Sequence, residues 1–132
     1  MKQYLLDTNI CIYLLKDLFG LVEKIEAIGI SNFFISEITI AELKFGAENS
    51  AFPEKNAQKT SQIQQLFTVI PIFSSLDVYA REKARLKKEG RILDDFDLLI
   101  GATAIYNNLV LITRNVSDFE RLKAIEIENW TN

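Results

Sequence analysis

The sequence predicts an α/β fold in which helices cover both faces of a parallel sheet of about five strands. Short apolar runs alternate along the chain with longer segments whose apolar residues recur at helical spacing. The runs are apolar on both faces, which is typical of strands buried between two layers of helices. With 132 residues, 48% of them hydrophobic, the chain is expected to form one domain over residues 1–132.

Five segments are predicted to be strands: residues 4–6, 33–35, 69–73, 109–113 and 125–127. Pro71 has no N–H to donate to a neighbouring strand, so the third segment is predicted to lie at an edge of the sheet. The fifth segment alternates isoleucine with glutamate, which predicts a half-exposed strand at the opposite edge.

Six segments with helical periodicity are predicted between these strands: residues 10–16, 21–28, 38–48, 53–67, 76–89 and 95–107. In sheets of this kind, ligands bind in the crevice outside the carboxyl ends of the strands. The side chains that follow the strands are therefore the first candidates for a functional site.

The composition excludes several kinds of chemistry. The chain has no histidine, so Ser-His-Asp triads, Cys-His dyads and the two-histidine ribonuclease mechanism are ruled out. Its single cysteine, Cys11, cannot form an intrachain disulfide or complete a structural zinc site, and is expected to be a buried apolar residue. Catalysis would depend on carboxylates, hydroxyls, lysines or a metal ion bound by oxygen.

Charge and hydropathy bear on partners and location. The net charge of −3 argues against binding of nucleic acid over the whole surface, although it leaves room for a local basic patch. No apolar run is long enough to span a bilayer, and no small-residue cleavage site follows the N-terminal segment. We therefore expect a cytoplasmic protein without a membrane partner.

Four acidic residues are predicted to gather at one edge of the sheet. Asp7 ends the first strand, and Glu42 lies beside the apolar stripe of the helix after the second. Asp97 lies in the first turn of the helix that precedes the fourth strand, and Asp118 follows that strand by five residues. Convergence of these four side chains would make a single acidic site.

Three of these acids have a purely structural alternative. Asp7 could cap the helix that follows it, Asp97 could belong to a capping arrangement with Asp94, and Asp118 could cap a short turn. Glu42 is harder to explain in this way, because a carboxylate among apolar neighbours is costly to desolvate without a partner.

Converging carboxylates repel one another, and a divalent cation relieves that repulsion. A site made only of oxygen ligands selects hard ions such as Mg²⁺ or Mn²⁺ over zinc. Such an ion can orient a water molecule, lower its pKa and neutralise charge that builds up on a phosphate. This chemistry needs no histidine, in agreement with the composition.

Four stretches of the chain resemble the VapC branch of the PIN-domain ribonucleases. They are Leu6-Asp7-Thr8-Asn9-Ile10, Ala41-Glu42-Leu43-Lys44-Phe45-Gly46-Ala47, the block from Gly90 through Asp97-Leu98-Leu99-Ile100-Gly101-Ala102, and the segment from Leu111-Ile112-Thr113-Arg114-Asn115 to Asp118-Phe119-Glu120-Arg121 with the late Glu128-Asn129-Trp130. Each motif alone is weakly specific. The ordered set is strong, because it covers nearly the whole chain in the family's order.

The resemblance implies a three-layer α/β/α sandwich whose third and fifth strands lie at the edges. It implies a type II toxin: an Mg²⁺-dependent endoribonuclease, commonly homodimeric and held inactive by a VapB antitoxin. The family's acidic quartet, which is both catalytic and metal-binding, maps onto Asp7, Glu42, Asp97 and Asp118, and the fourth position contributes less regularly.

The resemblance also assigns supporting roles around the acids. The residues expected to orient a carboxylate or a metal-bound water are Thr8, Asn9, Thr113 and Asn115. The sequence departs from close relatives at Asp94 and Asp95, where they often carry Gly-Pro. These extra acids either join the metal site or strengthen the start of the helix, and the second interpretation is favoured.

Basic residues are candidates for contacts with RNA phosphates. Six of the 15 basic residues lie between Arg81 and Arg91, and a solvated helix face with pairs such as Glu82 and Lys83 is the simpler interpretation of this run. The candidate substrate-binding residues are Lys44, Arg91 and Arg114.

Two further alternatives concern partners and activity. The apolar stripe of Ile10, Tyr13 and Leu14 is either core, the favoured interpretation, or part of a groove for an antitoxin segment. An acidic pocket on a parallel sheet also suits Mg²⁺-assisted phosphorylation of an aspartate, so a regulatory or phospho-acceptor domain without nuclease activity is the alternative function. A PIN-like fold that only binds partners is disfavoured by the intact acids.

Overall fold

The structure, a computed structural model, describes residues 1–132. Its sheet has five strands, all parallel to their neighbours, in the order β3-β2-β1-β4-β5. The strands are β1 (Tyr4–Leu6), β2 (Phe33–Ser36), β3 (Thr68–Ile70), β4 (Val110–Ile112) and β5 (Glu126–Glu128). The predicted edge positions of the third and fifth strands are confirmed.

Seven helices connect the strands: α1 (Thr8–Leu15), α2 (Leu21–Ile28), α3 (Glu37–Glu48), α4 (Pro53–Leu66), α5 (Leu76–Lys88), α6 (Asp95–Tyr106) and α7 (Val116–Phe119). Short 3-10 turns at Ile30–Asn32 and Phe73–Ser75 complete the chain. No helix combines the length and the apolar character needed to cross a bilayer.

Alternate residues of the central strands enter two separate cores. Tyr4 and Leu6 pack with residues of α1, α2, α3 and α4, whereas Leu5 packs with residues of α5, α6 and α7. β4 alternates in the same way, with Ile112 in the first core and Leu111 in the second. Because successive side chains of a strand point to opposite faces, the sheet is covered on both sides, as the doubly apolar runs predicted.

Most predicted bounds agree with the structure to within one residue, but two boundaries differ by more and one short helix was not predicted. The third strand ends at Ile70 rather than at residue 73, because Pro71 cannot continue the ladder and a 3-10 turn follows. α1 begins at Thr8, directly after its capping residue Asp7, rather than at residue 10. The four-residue α7 was not predicted, since so short a segment carries no periodicity that could be read.

Cys11 and Ile10 are fully buried in the first core, as expected for apolar residues. Burial raises the pKa of the Cys11 thiol well above its usual range, and the nearby charge of Asp7 adds to this effect. The thiol is therefore neutral and acts as a packing group.

Gly101 is the position where α6 approaches the end of α7 most closely. A Cβ added there would collide with the buried side chain of Leu122 and would also touch Phe119. We expect Gly101→Ala to lower the free energy of unfolding by about 1–3 kcal/mol, because Leu122 has no free space to move into. Thermal denaturation measures this loss. Gly46→Ala is the matched control, since a Cβ at Gly46 meets nothing within 4 Å.

Candidate active site

Asp7 is fixed at the junction of β1 and α1. The residue is only 3% exposed, and its backbone N–H donates to the carbonyl oxygen of Ile112 at 3.0 Å, which extends the pairing of β1 with β4. Its Oδ1 accepts from the backbone N–H of Thr8 at 2.8 Å, and its Oδ2 accepts from the hydroxyl of Thr113 at 2.7 Å. Asp7 is thus the N-cap of α1, and the same placement sets its carboxylate at the carboxyl ends of the two central strands.

Glu42 is tied to the same edge through a threonine. The Thr8 hydroxyl donates to Glu42 Oε1 at 2.6 Å, and Thr8 Oγ1 lies 3.1 Å from the Oγ1 of Thr39. Thr8 therefore joins the start of α1 to α3, next to Asp7. The half-buried Glu42 has the polar partner that its apolar neighbours required.

Asp97 lies in the first turn of α6, directly after Phe96, whose backbone N–H makes the capping hydrogen bond. Asp94 accepts from the backbone N–H of Phe96 at 3.1 Å and is the N-cap of the helix, whereas no hydrogen bond joins Asp97 to Asp94. Burial raises the pKa of Asp97 to about 7, and the charges of Asp7, Asp94, Glu42 and Asp118 add to this rise. The charges of the other three predicted carboxylates therefore act on Asp97 and disfavour its ionised form.

Burial also raises the pKa of Asp7, with a smaller contribution from Glu42, while the hydrogen bonds from Thr113 and Thr8 oppose the rise. Asp7 and Asp97 both lie in surroundings that disfavour their ionised forms. This is the electrostatic pattern that a bound cation would relieve.

Asp118 is the least firmly held of the four acids. It lies in the first turn of α7, its side chain is 43% exposed, and its Oδ1 lies 3.6 Å from a guanidinium nitrogen of Arg121. Arg121 also donates to the carbonyl oxygen of Ile92 at 2.9 Å, so the loop before α6 is connected to α7. Arg121 was not among the predicted site residues, although its spacing of three residues from Asp118 is a recognisable signal for a helical ion pair.

The acids share an edge but do not form a closed ligand cage. No three Asp, Glu or Cys side chains of the chain are close enough together, as they stand, to hold a metal ion. Side-chain rotation would be needed to bring three of them onto one ion.

The predicted supporting residues behave differently from one another. Thr8 and Thr113 contact the acids directly. Asn115 contributes its backbone N–H, which donates to Thr113 Oγ1 at 3.0 Å, while its side chain is not among the hydrogen-bonded groups. Asn9 has a buried side-chain oxygen with no hydrogen-bond partner.

The predicted substrate-binding residues are dispersed. Lys44 on α3 and Arg91 between α5 and α6 are exposed and make no ion pair. Arg114, which directly follows Thr113, donates to the Tyr13 hydroxyl at 3.0 Å and lies over the Tyr13 ring. Of the three, the structure gives only Arg114 a defined contact near the acids.

Two of the six residues in the basic run, Lys83 and Arg85, make ion pairs, and the other four make none. Arg85 pairs with Glu82 and Glu89, each at 2.9 Å, and donates to the carbonyl oxygen of Arg121. The expected pairing of Glu82 with Lys83 is wrong, because adjacent helical residues point in different directions and Lys83 instead meets Asp95 at 2.8 Å.

The two additional acids before Asp97 have structural partners. Asp95 accepts hydrogen bonds from Lys83 and Tyr79, and Asp94 caps α6. Both contacts agree with the interpretation that these acids strengthen the start of α6.

We expect Thr113→Val to lower RNA cleavage by about 10- to 100-fold, because outer hydrogen bonds of this kind orient metal-binding carboxylates. The fully buried Thr113 hydroxyl donates to Asp7 and accepts from Asn115, so both partners would be left unpaired. The free energy of unfolding should fall by about 1–3 kcal/mol. Thr113→Ser keeps the hydroxyl and is the matched control. Equal activity of the two variants would contradict an orienting role.

Comparisons with known proteins point to one family. Residues 4–125 match the PIN domain family. A protein named Ribonuclease VapC2 from Haemophilus influenzae is 33% identical, and the aligned region covers 98% of this chain and 99% of that protein. A tRNA(fMet)-specific endonuclease VapC from Shigella flexneri is 30% identical over 99% of this chain and 100% of its own length.

A solved structure gives the same result in three dimensions. The crystal structure of DNA-bound VapBC from Salmonella typhimurium contains a chain that superposes with a TM-score of 0.91 at 31% identity, covering 98% of this chain and 99% of that one. Sequence, fold and nearly complete coverage thus agree. The chain belongs to the PIN-domain family, in its VapC ribonuclease branch.

Proposed function

We propose that this protein is the toxin of a type II toxin–antitoxin system and acts as an Mg²⁺-dependent endoribonuclease. Asp7, Glu42 and Asp97 would hold the metal and Asp118 would assist, with Mn²⁺ able to replace Mg²⁺. The observation that carries the proposal is the placement of Asp7 and Glu42 at one edge of the sheet, where Thr8 contacts both. The charges of Asp7, Glu42 and Asp118 also help to raise the pKa of Asp97, to about 7, after burial. The names of the relatives, ribonuclease and endonuclease, support the reaction class.

The residues present fit a hard divalent cation. PIN-domain nucleases generally depend on a divalent metal ion, and the candidate ligands here are all carboxylate oxygens, which favour Mg²⁺ or Mn²⁺ over zinc. The buried Asn9 oxygen, two residues after Asp7, lacks a donor in the protein and is an acceptor that a coordinated water would satisfy.

When bound, the metal would supply a Lewis acid that activates water and neutralises charge on the phosphate. The protein's own residues position the carboxylates: Thr113 and the Thr8 N–H hold Asp7, and the Thr8 hydroxyl holds Glu42. In the hydrolysis, a water oxygen bonds to phosphorus and the bond from phosphorus to O3′ breaks. The products are a 5′-phosphate and a 3′-hydroxyl, with the water protons passing to the O3′ leaving group and to solvent.

A VapB-type antitoxin is the proposed protein partner. The relative from Salmonella typhimurium was solved as a VapBC complex, and this chain has an apolar groove of about 320 Å³ among α1, α2 and α4. Leu14 and Leu15 line this groove together with residues of α2 and α4. Ile10 lies in the core instead, so the apolar stripe of α1 is divided between the two roles considered for it.

A homodimer is also proposed. Phe73 and Ile92 are 81% and 78% exposed, respectively, although both are large apolar residues. Scattered apolar side chains are normal on protein surfaces, so the dimer rests on the family resemblance and these two residues are candidates for its interface. Light scattering at micromolar concentration should give the mass of two chains, and a monomer would contradict the proposal.

The proposed function is tested by RNA cleavage with the purified full-length protein. We expect cleavage in Mg²⁺, loss of cleavage in EDTA, recovery on addition of Mg²⁺ or Mn²⁺, and 5′-phosphate ends. Initiator tRNA is the first substrate to use, because one relative is named for it. Absence of cleavage, combined with an acyl phosphate after incubation with a phosphodonor, would favour the phospho-acceptor alternative.

A further inference from the structure

A second pocket adjoins the proposed metal site. It has a volume of about 240 Å³ and lies where the end of α1 meets α3 and α4. Glu42 lines it, as do Lys16 and Lys59. We infer that this pocket binds a phosphate of the RNA backbone next to the cleaved bond, with Lys16 and Lys59 as its cationic groups. The inference rests on the proposed ribonuclease function.

Neither lysine is neutralised within the protein. The ion pairs of the chain involve Lys2, Lys83, Arg85 and Arg121, whereas Lys16 and Lys59 have no carboxylate oxygen within 4 Å. Lys59 is half-buried, so its aliphatic stem lies along the protein while its ammonium group can remain accessible. The position of Lys16 after the last residue of α1 has a local explanation in the helix dipole, but Lys59 lies in the body of α4 and has none.

Gly46 supplies an independent observation. It lies inside α3 and lines the pocket, yet a Cβ at this position would meet no atom within 4 Å. Glycine within a helix costs roughly 0.5–1 kcal/mol relative to alanine, and no close packing requires it here. The glycine leaves this part of the pocket lining without a side chain.

The position beside Glu42 favours a nucleic acid over an acidic peptide. A metal held by Glu42 would take the phosphate that is cleaved, and successive phosphates of one strand are only a few ångströms apart. A neighbouring phosphate can therefore reach the lysines from the metal site. Lysine ammonium groups bind phosphate as point charges and do not read bases, so this pocket would add affinity for any RNA sequence.

The test compares Lys16→Gln/Lys59→Gln with Lys55→Gln, a control that removes a positive charge from the same helix α4 outside the pocket. Affinity is measured with a short single-stranded RNA of mixed sequence in the cleavage-deficient Asp7→Asn background. We expect the double variant to bind roughly five- to tenfold more weakly, and its log–log salt slope to fall by about 0.7 for each RNA phosphate that the lysines no longer neutralise. In the Asp7-containing protein, KM should rise with little change in kcat.

Two further variants separate charge from shape. Lys16→Arg/Lys59→Arg should retain the affinity of the parent protein, because the charges remain. Gly46→Leu should weaken RNA binding without changing charge, because it adds a bulky side chain at a residue that lines the pocket. Thermal denaturation of each variant confirms that it is folded.

The outcomes are distinguishable. RNA affinity and salt slope equal to those of Lys55→Gln would overturn the phosphate pocket while leaving the ribonuclease proposal intact, provided that the parent protein cleaves RNA. Unchanged RNA affinity with lost binding of polyglutamate would show that the pocket takes an acidic peptide instead. A parent protein that neither binds nor cleaves RNA would overturn both proposals.

Discussion

Replacement of Asp7 by asparagine is expected to lower RNA cleavage by at least about a thousandfold and to remove growth inhibition in cells that express the protein. The asparagine keeps the size of the side chain, and its oxygen can still accept from the Thr8 N–H that starts α1. What it loses is the negative charge at the junction of the two central strands and the oxygen that accepts from the Thr113 hydroxyl. The cleavage rate on a labelled RNA, at saturating Mg²⁺, measures the effect.

The fold should survive this change. Burial raises the pKa of Asp7, so the neutral amide removes a charge that the folded protein accommodates with difficulty. The circular-dichroism spectrum should be unchanged, and the melting temperature should stay close to that of the parent protein, because relief of the buried charge offsets the lost hydrogen bond from Thr113. Asp77→Asn, which neutralises an exposed acid in the first turn of α5, is the matched control and should cleave normally. Full activity of Asp7→Asn would remove this residue from the site.

Replacement of Asp97 by asparagine is expected to lower cleavage by about 100- to 1,000-fold and, without metal, to stabilise the protein at high pH. The folded-state pKa of about 7 lies above the ordinary 3.8, so the folded protein binds more protons than the unfolded chain between these values. The contribution of Asp97 to stability therefore falls as the pH rises from about 4 to 7.

The stability effect of this replacement is confined to a defined pH range. At pH 8 in EDTA the variant should be more stable than the parent protein by roughly 1–2 kcal/mol, a value reduced because the carboxylate is partly exposed to solvent. Near pH 2.5 the difference should vanish, since this pH lies more than one unit below the ordinary pKa of 3.8 and Asp97 is then protonated in both states. Asp95→Asn is the control, because this exposed residue pairs with Lys83 away from the other acids. A stability difference that does not change with pH would contradict the assigned cause.

Much of the fold follows from local patterns. The apolar runs located all five strands, and Pro71 identified an edge strand because its missing N–H is a covalent property. The N-cap of α1 was also predictable, since Asp7 precedes Thr8 in the sequence. The local pattern mispredicted two features. The third strand ends at Ile70, earlier than its apolar run suggests, and α7 is too short to show helical periodicity.

The candidate site was predicted as a set of residues but not as a geometry. Strand ends of a parallel sheet share one edge, so the approximate convergence of Asp7, Glu42 and Asp97 follows from topology. The distances among their oxygens do not, because they depend on side-chain rotation and on how far α3 and α6 stand from the sheet. The partner of Lys83 was likewise settled by the packing of α5 against α6, whereas the partner of Asp118 lies only three residues away and has a local signal.

The amino-acid sequence alone predicts the α/β class and the order of the elements. It also excludes histidine chemistry and identifies the acids available to bind a metal. The tertiary structure decided which hydroxyls hold those acids, which lysines remain without a carboxylate, and that Lys16 and Lys59 line one pocket with Glu42. The physical reason is the range of the forces involved. Hydrophobic periodicity and helix capping depend on a few neighbouring residues, so the sequence shows them directly. Contacts between helices that are distant in sequence form only when the packed layers bring the helices together.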